Sequence, residues 1–495
     1  MNHKISEISK KGINVIHTSL SEEQALFGYV KLKFEIQKRN FYAMLVYYIV
    51  LGMSIFGIEL QQQNVLLNSQ FFSLDRENAA DSNSTIILFD LLTKLLVSPL
   101  YRILVDKLGR KKLSFIGFGL LSVSFLFFPF SLTHKSSFNQ YYFMRFIHAN
   151  GIAILLSIPL LSDYIEHDSK GRCISINGFF LTLGFLFSTY IINSFSGPNL
   201  SSSYYVFALI TLSAGNVCSW FLKSGTEYFR QAVHSPDKAL EIQEDENTVN
   251  LQETPVVFSK RRLAIQAIRS RPWILVALMF SFLSGICFAI SSQTLNLYAQ
   301  TFNSFQGPRV GSDLVLKSNL ASIVTTLVFG SALEFIEPLY GVIAGFALTI
   351  LSSFSIGTVE DPRALPLTFI SVGFGMAYSI THILTTYLGY KYYPTSLRGM
   401  FFGGANLFVT IGVIFTTVFG GWLFKTGDMN WPFYIAGLCS FVSLASFVFI
   451  YLEMIIPAKK KIRNKQELNL SLLYTSIQSA NPDTSEIIEN NLQLE

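Results

Sequence analysis

The stretch "LVDKLGRKK", residues 104–112, decides how the rest of the chain is read. It closes one long apolar run and leads into another, with an acid, a glycine and four cations placed in the turn between them. Elsewhere charge is scarce: of 495 residues, 14% are Asp, Glu, Lys or Arg and 50% are hydrophobic, with a mean hydropathy of +0.41. Soluble domains devote about a quarter of their residues to charge, so a cationic turn between two apolar runs reads as the edge of a membrane. The net charge of +5 is small and its cations are clustered, which argues against a nucleic-acid partner.

A spanning helix needs about 20 mostly apolar residues. Twelve segments qualify: 41–60, 84–105, 113–133, 141–162, 173–193, 203–222, 273–294, 314–336, 338–357, 366–388, 399–423 and 432–453. Lipid offers the backbone no hydrogen bonds, so these segments are expected as helices and the protein as an all-α membrane protein. The expected organisation is an N-terminal segment 1–40, a six-helix bundle 41–222, a central loop 223–272, a second six-helix bundle 273–455 and a tail 456–495. Cys173, Cys218, Cys287 and Cys439 lie in or beside apolar segments without metal-ligand spacing and read as packing residues. The polar, basic first 40 residues do not resemble a cleavable leader.

Arg76, Lys135, Arg309, Lys317, Arg363 and Lys425 fall in loops on one face, and Lys94 and Arg145 fall inside spans; the rest of the 37 Lys and Arg lie on the other face. The positive-inside rule makes that richer face cytoplasmic, with both termini, the central loop and the tail. The sequons at Asn83 and Asn199 then fall in outer loops as glycan acceptors. Sliding the chain by 228 residues pairs Gly171 with Gly399, Thr182 with Thr410, Gly184 with Gly412, Phe187 with Phe415, Ser188 with Thr416 and Thr189 with Thr417. The same offset pairs Asp106 with Glu334. One register serving both turns and helices indicates two duplicated halves, the plan of alternating-access carriers.

These residues resemble a family. "DKLGRKK" after the second span resembles the loop signature of the major facilitator superfamily, and "YYPTSLRG" at 392–399 resembles the turn before span eleven in its sugar-porter and organic-ion branches. "KSGTEYFRQAVHSPDKALEIQ" at 223–243 loosely resembles the segment after span six. The chain departs from the pattern at Arg102, where the family places glycine, and at Lys391, where it places an acid. "AISSQTLNLYAQ" at 289–300 does not match the sugar-binding motif of span seven. The resemblance implies twelve helices in two pseudo-symmetric bundles and secondary transport of a sugar, organic ion or related metabolite. It further implies that Asp106 faces the start of span eleven and that Arg110 reaches an acid after span four, for which Asp163 and Glu166 are candidates. Gly109 permits the tight turn. Two cytoplasmic gate clusters follow: Asp106, Arg110 and Asp163 with Arg172, and Glu334 and Lys391 with Arg398.

Ionisable groups inside spans are costly and mark function. Asp90 and Lys94 share a helix face at i, i+4 and are expected to pair, either as a cavity-lining site or as a structural pair. Arg145, in "RFIHANGIA", needs an acid, and Glu59 or Asp90 is available. His148 and His382 are candidate proton carriers. In "SSQTLNLY" at 291–298, Gln293 and Asn296 are expected to face the solute, the alternative being bonds between helices. No cofactor, metal site or catalytic constellation is indicated, and the expected partners are a small solute, protons and membrane lipid around a monomer. The rival reading is a transporter-shaped sensor or scaffold that moves nothing. Substrate, direction, coupling ion and the particular membrane are not legible.

Overall fold

Helices that bury apolar faces against one another, and expose apolar faces outward, account for nearly every described residue. The computed structural model describes residues 25–26, 30–33, 36–67, 71–132, 138–165, 170–195, 200–223, 272–302, 307–333, 335–359, 361, 365–392, 398–426, 429–457 and 460. In chain order the long helices are α1 (Lys38–Leu67), α2 (Arg76–Leu108), α3 (Arg110–Ser131), α4 (Asn139–Leu156), α5 (Lys170–Ser194) and α6 (Leu200–Phe221). They continue with α7 (Trp273–Ala299), α8 (Gly307–Ala332), α9 (Pro338–Phe354), α10 (Leu365–Tyr392), α11 (starting as Arg398–Ile414) and α12 (Trp431–Ile455). Ten of these are long and apolar enough to cross a membrane. The other two are α2, which carries Asp90, Lys94 and a polar first turn, and α4, whose 18 residues include Arg145, His148 and three amide side chains. Leu96, Tyr190, Leu209, Phe369 and Phe449 are exposed, the apolar exterior that lipid requires.

Local chemistry sets several boundaries. Asp75 caps α2 by accepting from the Asn78 backbone N–H at 2.9 Å, so the polar stretch after it is helical. Asn83 therefore lies inside α2 and not on a loop. It is 8% exposed, and its Oδ1 accepts from Gln62 Nε2 at 2.9 Å, which corrects its assignment as a glycan acceptor. Asn199 lies outside the described residues. α2 ends at Gly109, whose φ of 84° suits glycine. α4 stops at Leu156, short of the expected 162, because Pro159 has no N–H to continue it; a short helix, Leu160–Tyr164, follows. α1 runs on to Leu67, seven residues past expectation, since Gln61 and Gln62 find partners in Ser203 and Asn83.

Both halves repeat one backbone contact. A Cβ placed on Gly52 (α1) would lie 2.2 Å from the Leu181 carbonyl oxygen, and one on Gly184 (α5) 2.2 Å from that of Ile49. In the second half, Gly285 (α7) stands likewise 2.1 Å from Val409 O and Gly412 (α11) 2.2 Å from Phe282 O. Gly184 and Gly412 are the pair aligned by the 228-residue offset, and Leu181 and Val409 share it. One hydrophobic core runs from Val30 to Leu222 and takes in Val315; a second runs from Trp273 to Ile455. Ile87, Ala289 and Val413 form a small apolar seam between the halves. Across the same divide Ser84 Oγ donates to Thr417 O at 2.8 Å, and Gly178 packs on Thr326.

At the face carrying Gly109, a two-stranded hairpin (β1, Ala25–Leu26; β2, Val30–Lys31) departs from the all-helical pattern. Leu32 pairs with Ile165, and Lys33 N donates to Tyr164 O at 3.0 Å.

Candidate functional site

The strongest concentration of chemistry is a buried charge cluster among α1, α2, α4 and α7. Helical spacing sets Asp90 and Lys94 on one face of α2, and Lys94 Nζ lies 2.5 Å from Asp90 Oδ2. Arg145 enters from α4 and is fully buried. Its Nη2 stands 3.6 Å from Asp90 Oδ2 and 3.7 Å from Glu59 Oε1. None of the three guanidinium nitrogens has a hydrogen-bond partner among the described residues. Two carboxylates thus neutralise Arg145 at a distance just beyond hydrogen bonding. The four charges sum to zero, which makes their burial tolerable without making it cheap.

Glu59 links this cluster to the other half. Its Oε2 accepts from Gln293 Nε2 of α7 at 2.6 Å. Gln293 lies in a π-helical turn, Ile290–Thr294, interrupting α7; such wide turns often mark functional positions. The sequence places Glu59 at the outer end of the first span, as an acid for Arg145 and, less buried than Asp90, for a coupling proton. The longer α1 puts it eight residues inside, as a member of the site. The signal that could have found it is "ELQQQN", polar residues continuing the helix beyond the apolar run.

The other expected residues scatter. His148 is buried, with Nε2 3.2 Å from Ser54 O and its ring edge-on to Phe125 at 5.3 Å. His382 stacks on Tyr378 at 5.7 Å in the second half. Asn296 is buried, and its Oδ1 occupies the space that a Cβ on Gly311 of α8 would need. Among the described residues no group of three or more His, Cys, Asp or Glu could hold a metal ion.

At the Gly109 face, Arg110 Nε donates to Asp163 Oδ2 at 2.8 Å, the acid expected after α4. Gly109 starts α3 so that Arg110, 4% exposed, turns inward at the first helical position. Tyr164 sits beside this pair and its OH accepts from Lys223 N at 2.8 Å. Burial, with Asp163 adding to it, pushes the Tyr164 phenol well above its ordinary range, so it stays a neutral hydroxyl there. The side chains of Asp106, Arg172 and Arg398, and Glu334 and Glu166 entirely, lie outside the described residues. Lys391 is exposed and donates to Tyr387 OH at 3.0 Å, with its ammonium over the Tyr387 ring at 5.1 Å. Among the described residues it forms a cation–π contact where an ion pair was expected.

Helices in two halves with the same internal glycine contacts, exposing apolar faces and burying a neutral charge cluster beside their interface, define an integral, multi-pass membrane carrier. The family model for the Major Facilitator Superfamily matches residues 41–307 and 311–484, and the chain belongs to that superfamily. It is 21% identical over 366 residues to Multidrug resistance protein 2 of Bacillus subtilis (strain 168), covering 71% of this chain and 82% of that protein. The crystal structure of the human organic anion transporter MFSD10 (TETRAN) superposes with a TM-score of 0.57 at 15% identity, covering 82% of this chain and 98% of that one. Membership makes the protein a secondary transporter of small solutes, in a family that is generally not enzymatic.

Proposed function

We propose that this carrier moves a small organic anion together with a proton by alternating access, through twelve spans that include α2 and α4. The division into bundles 41–222 and 273–455, joined by a central loop 223–272 and flanked by segments 1–40 and 456–495, belongs to this reading, as does a cytoplasmic Gly109 face. The carrying observation is Arg145: a guanidinium buried completely, without a hydrogen bond among the described residues, beside two carboxylates. A carboxylate or phosphate group would satisfy its donors bidentately. The two resident acids repel such a group unless one of them takes a proton. Asp90 is already matched by Lys94 at 2.5 Å, whereas Glu59 has its nearest cation at 3.7 Å. Glu59 is therefore the proton acceptor, and anion and proton enter as a neutral pair. The structural neighbour's title as an organic anion transporter supports the same solute class.

Protonated Glu59 still has an oxygen for Gln293, so the bond between halves can loosen with loading without leaving a bare charge behind. At the cytoplasmic face Asp106, Arg110 and Asp163 form a latch on the first half. The rival, a sensor that moves nothing, predicts binding without flux.

The test is uptake of radiolabelled p-aminohippurate into proteoliposomes, with and without an inward proton gradient. Stimulation by the gradient is expected. Glu59→Gln is expected to remove that pH dependence, and Arg145→Lys to cut uptake at least tenfold. Uptake by Glu59→Gln that still tracks the gradient sinks the proton assignment. A glycan on Asn199, seen as a mobility shift lost in Asn199→Gln, tests the orientation.

A further inference from the structure

The charge cluster has neighbours that the solute reading does not use. Gln61 and Gln62 of α1, Tyr141 and His148 of α4 and Tyr204 of α6 are all fully buried. Among the described residues the two amide oxygens and His148 Nδ1 have no partner, and the Tyr141 and Tyr204 hydroxyls have only each other. Their other ends are fixed. Gln61 Nε2 donates to the Ser203 hydroxyl, and Gln62 Nε2 donates to Asn83 Oδ1 at 2.9 Å. His148 Nε2 faces the Ser54 carbonyl, which only accepts, so Nε2 carries the hydrogen and Nδ1 presents a lone pair. Tyr141, Tyr204 and His148 surround one ring, Phe128, at 5.5, 5.3 and 6.3 Å, and the two tyrosines lie in electrostatic reach of Arg145.

The chemistry of the set selects its ligand. An anion suits Arg145 and the phenols and leaves three acceptors unmet. A metal cation suits the acceptors and meets Arg145. Water donates and accepts, and buried water takes two to four polar partners in such places. The groups also form a ladder in depth. At about 1.5 Å per residue, Tyr141 lies ~3 Å from the start of α4, Gln62 ~8 Å from the end of α1 and Tyr204 ~6 Å from the start of α6. Arg145 lies ~9 Å in and His148 ~14 Å.

We propose that the interior of the first half holds a chain of internal waters. It carries the coupling proton between the face opposite Gly109 and Glu59, apart from the path of the solute. The proposal rests on the reading of Glu59 as proton acceptor. The groups facing Glu59 are Arg145 and Tyr141 of α4, Asp90 and Lys94 of α2 and Gln293 of α7. A proton leaves a hydronium at the surface, each water along the chain accepts one proton and releases another, and the last forms an O–H bond on the Glu59 carboxylate. The route runs among α1, α2, α4 and α6, so it does not require the halves to part.

Radiolytic hydroxyl-radical labelling of the parent protein reads buried water directly. Tyr141, Phe128 and Tyr204 are expected to label well above Phe280 and Phe374, which are as fully buried in the second half. Equal labelling of both sets overturns the water chain whatever the protein transports. In proteoliposomes, the double variant Tyr141→Phe, Tyr204→Phe is expected to slow gradient-driven p-aminohippurate uptake at least fivefold. Exchange of p-aminohippurate at equal pH, which moves loaded carriers only, is expected to stay within twofold of the parent. Unchanged gradient-driven uptake overturns the route. Absence of any exchange in the parent overturns the anion reading and leaves the labelling result to decide the water chain.

Discussion

Where α5 meets α1, and again where α11 meets α7, two backbones touch through a reciprocal pair of glycines. The interiors beside those contacts are unlike. The first half buries Glu59, Asp90, Arg110, Arg145 and His148; among the described residues, the second half buries hydroxyls and amides and not one charged side chain. Its polar groups close on each other: Ser322 and Ser379 hydroxyls lie 2.5 Å apart, and Thr326 Oγ1 donates to Ser379 Oγ at 3.1 Å. Neutral hydroxyl pairs hold helices together at modest cost, whereas buried charges impose a strict neutrality condition. Duplication preserved the packing and left the chemistry to one half.

Five single substitutions test that contrast. The largest effect is expected for Arg145→Met, which leaves two buried carboxylates with Lys94 as their one cation; about 3–5 kcal/mol of stability should be lost, read as a fall in the detergent melting point, and Glu59→Gln in the same chain should restore part of it. If Arg145→Met melts like the parent, the carboxylates are not held by Arg145. Next, Gly184→Ala and Gly412→Ala should each cost about 1–3 kcal/mol by overpacking, and by similar amounts, because both place a methyl 2.2 Å from a carbonyl oxygen. Widely different losses would break the structural equivalence of the halves. Asp163→Asn, which weakens one partly exposed charged hydrogen bond to Arg110, should cost about 1 kcal/mol. Lys391→Gln should fall within about 0.5 kcal/mol of the parent. A Lys391 effect as large as that of Asp163 would place a second latch in the second half.

Ten of the helices were legible because lipid imposes length and apolarity on them. Asp90–Lys94 and Arg110–Asp163 were legible too: the first is an i, i+4 pair, and the second follows from a turn whose residues resemble a known loop. The bond from Gln293 to Glu59 was not, since 234 residues separate them and no local pattern announces a partner on another bundle. Asn83 misled because a polar sequence after a good cap is still helical when its amides find partners.

The wide turn Ile290–Thr294 in α7 holds one residue more than ordinary α-helical winding needs. Loss of a single codon there would let the helix rewind regularly and swing everything on one side of it by about 100°. Gln293 would leave Glu59 while the packing near Gly285 stayed in place. Descendants of the duplicated ancestor thus have a one-step genetic route to uncoupling the bundles, without touching the charges themselves.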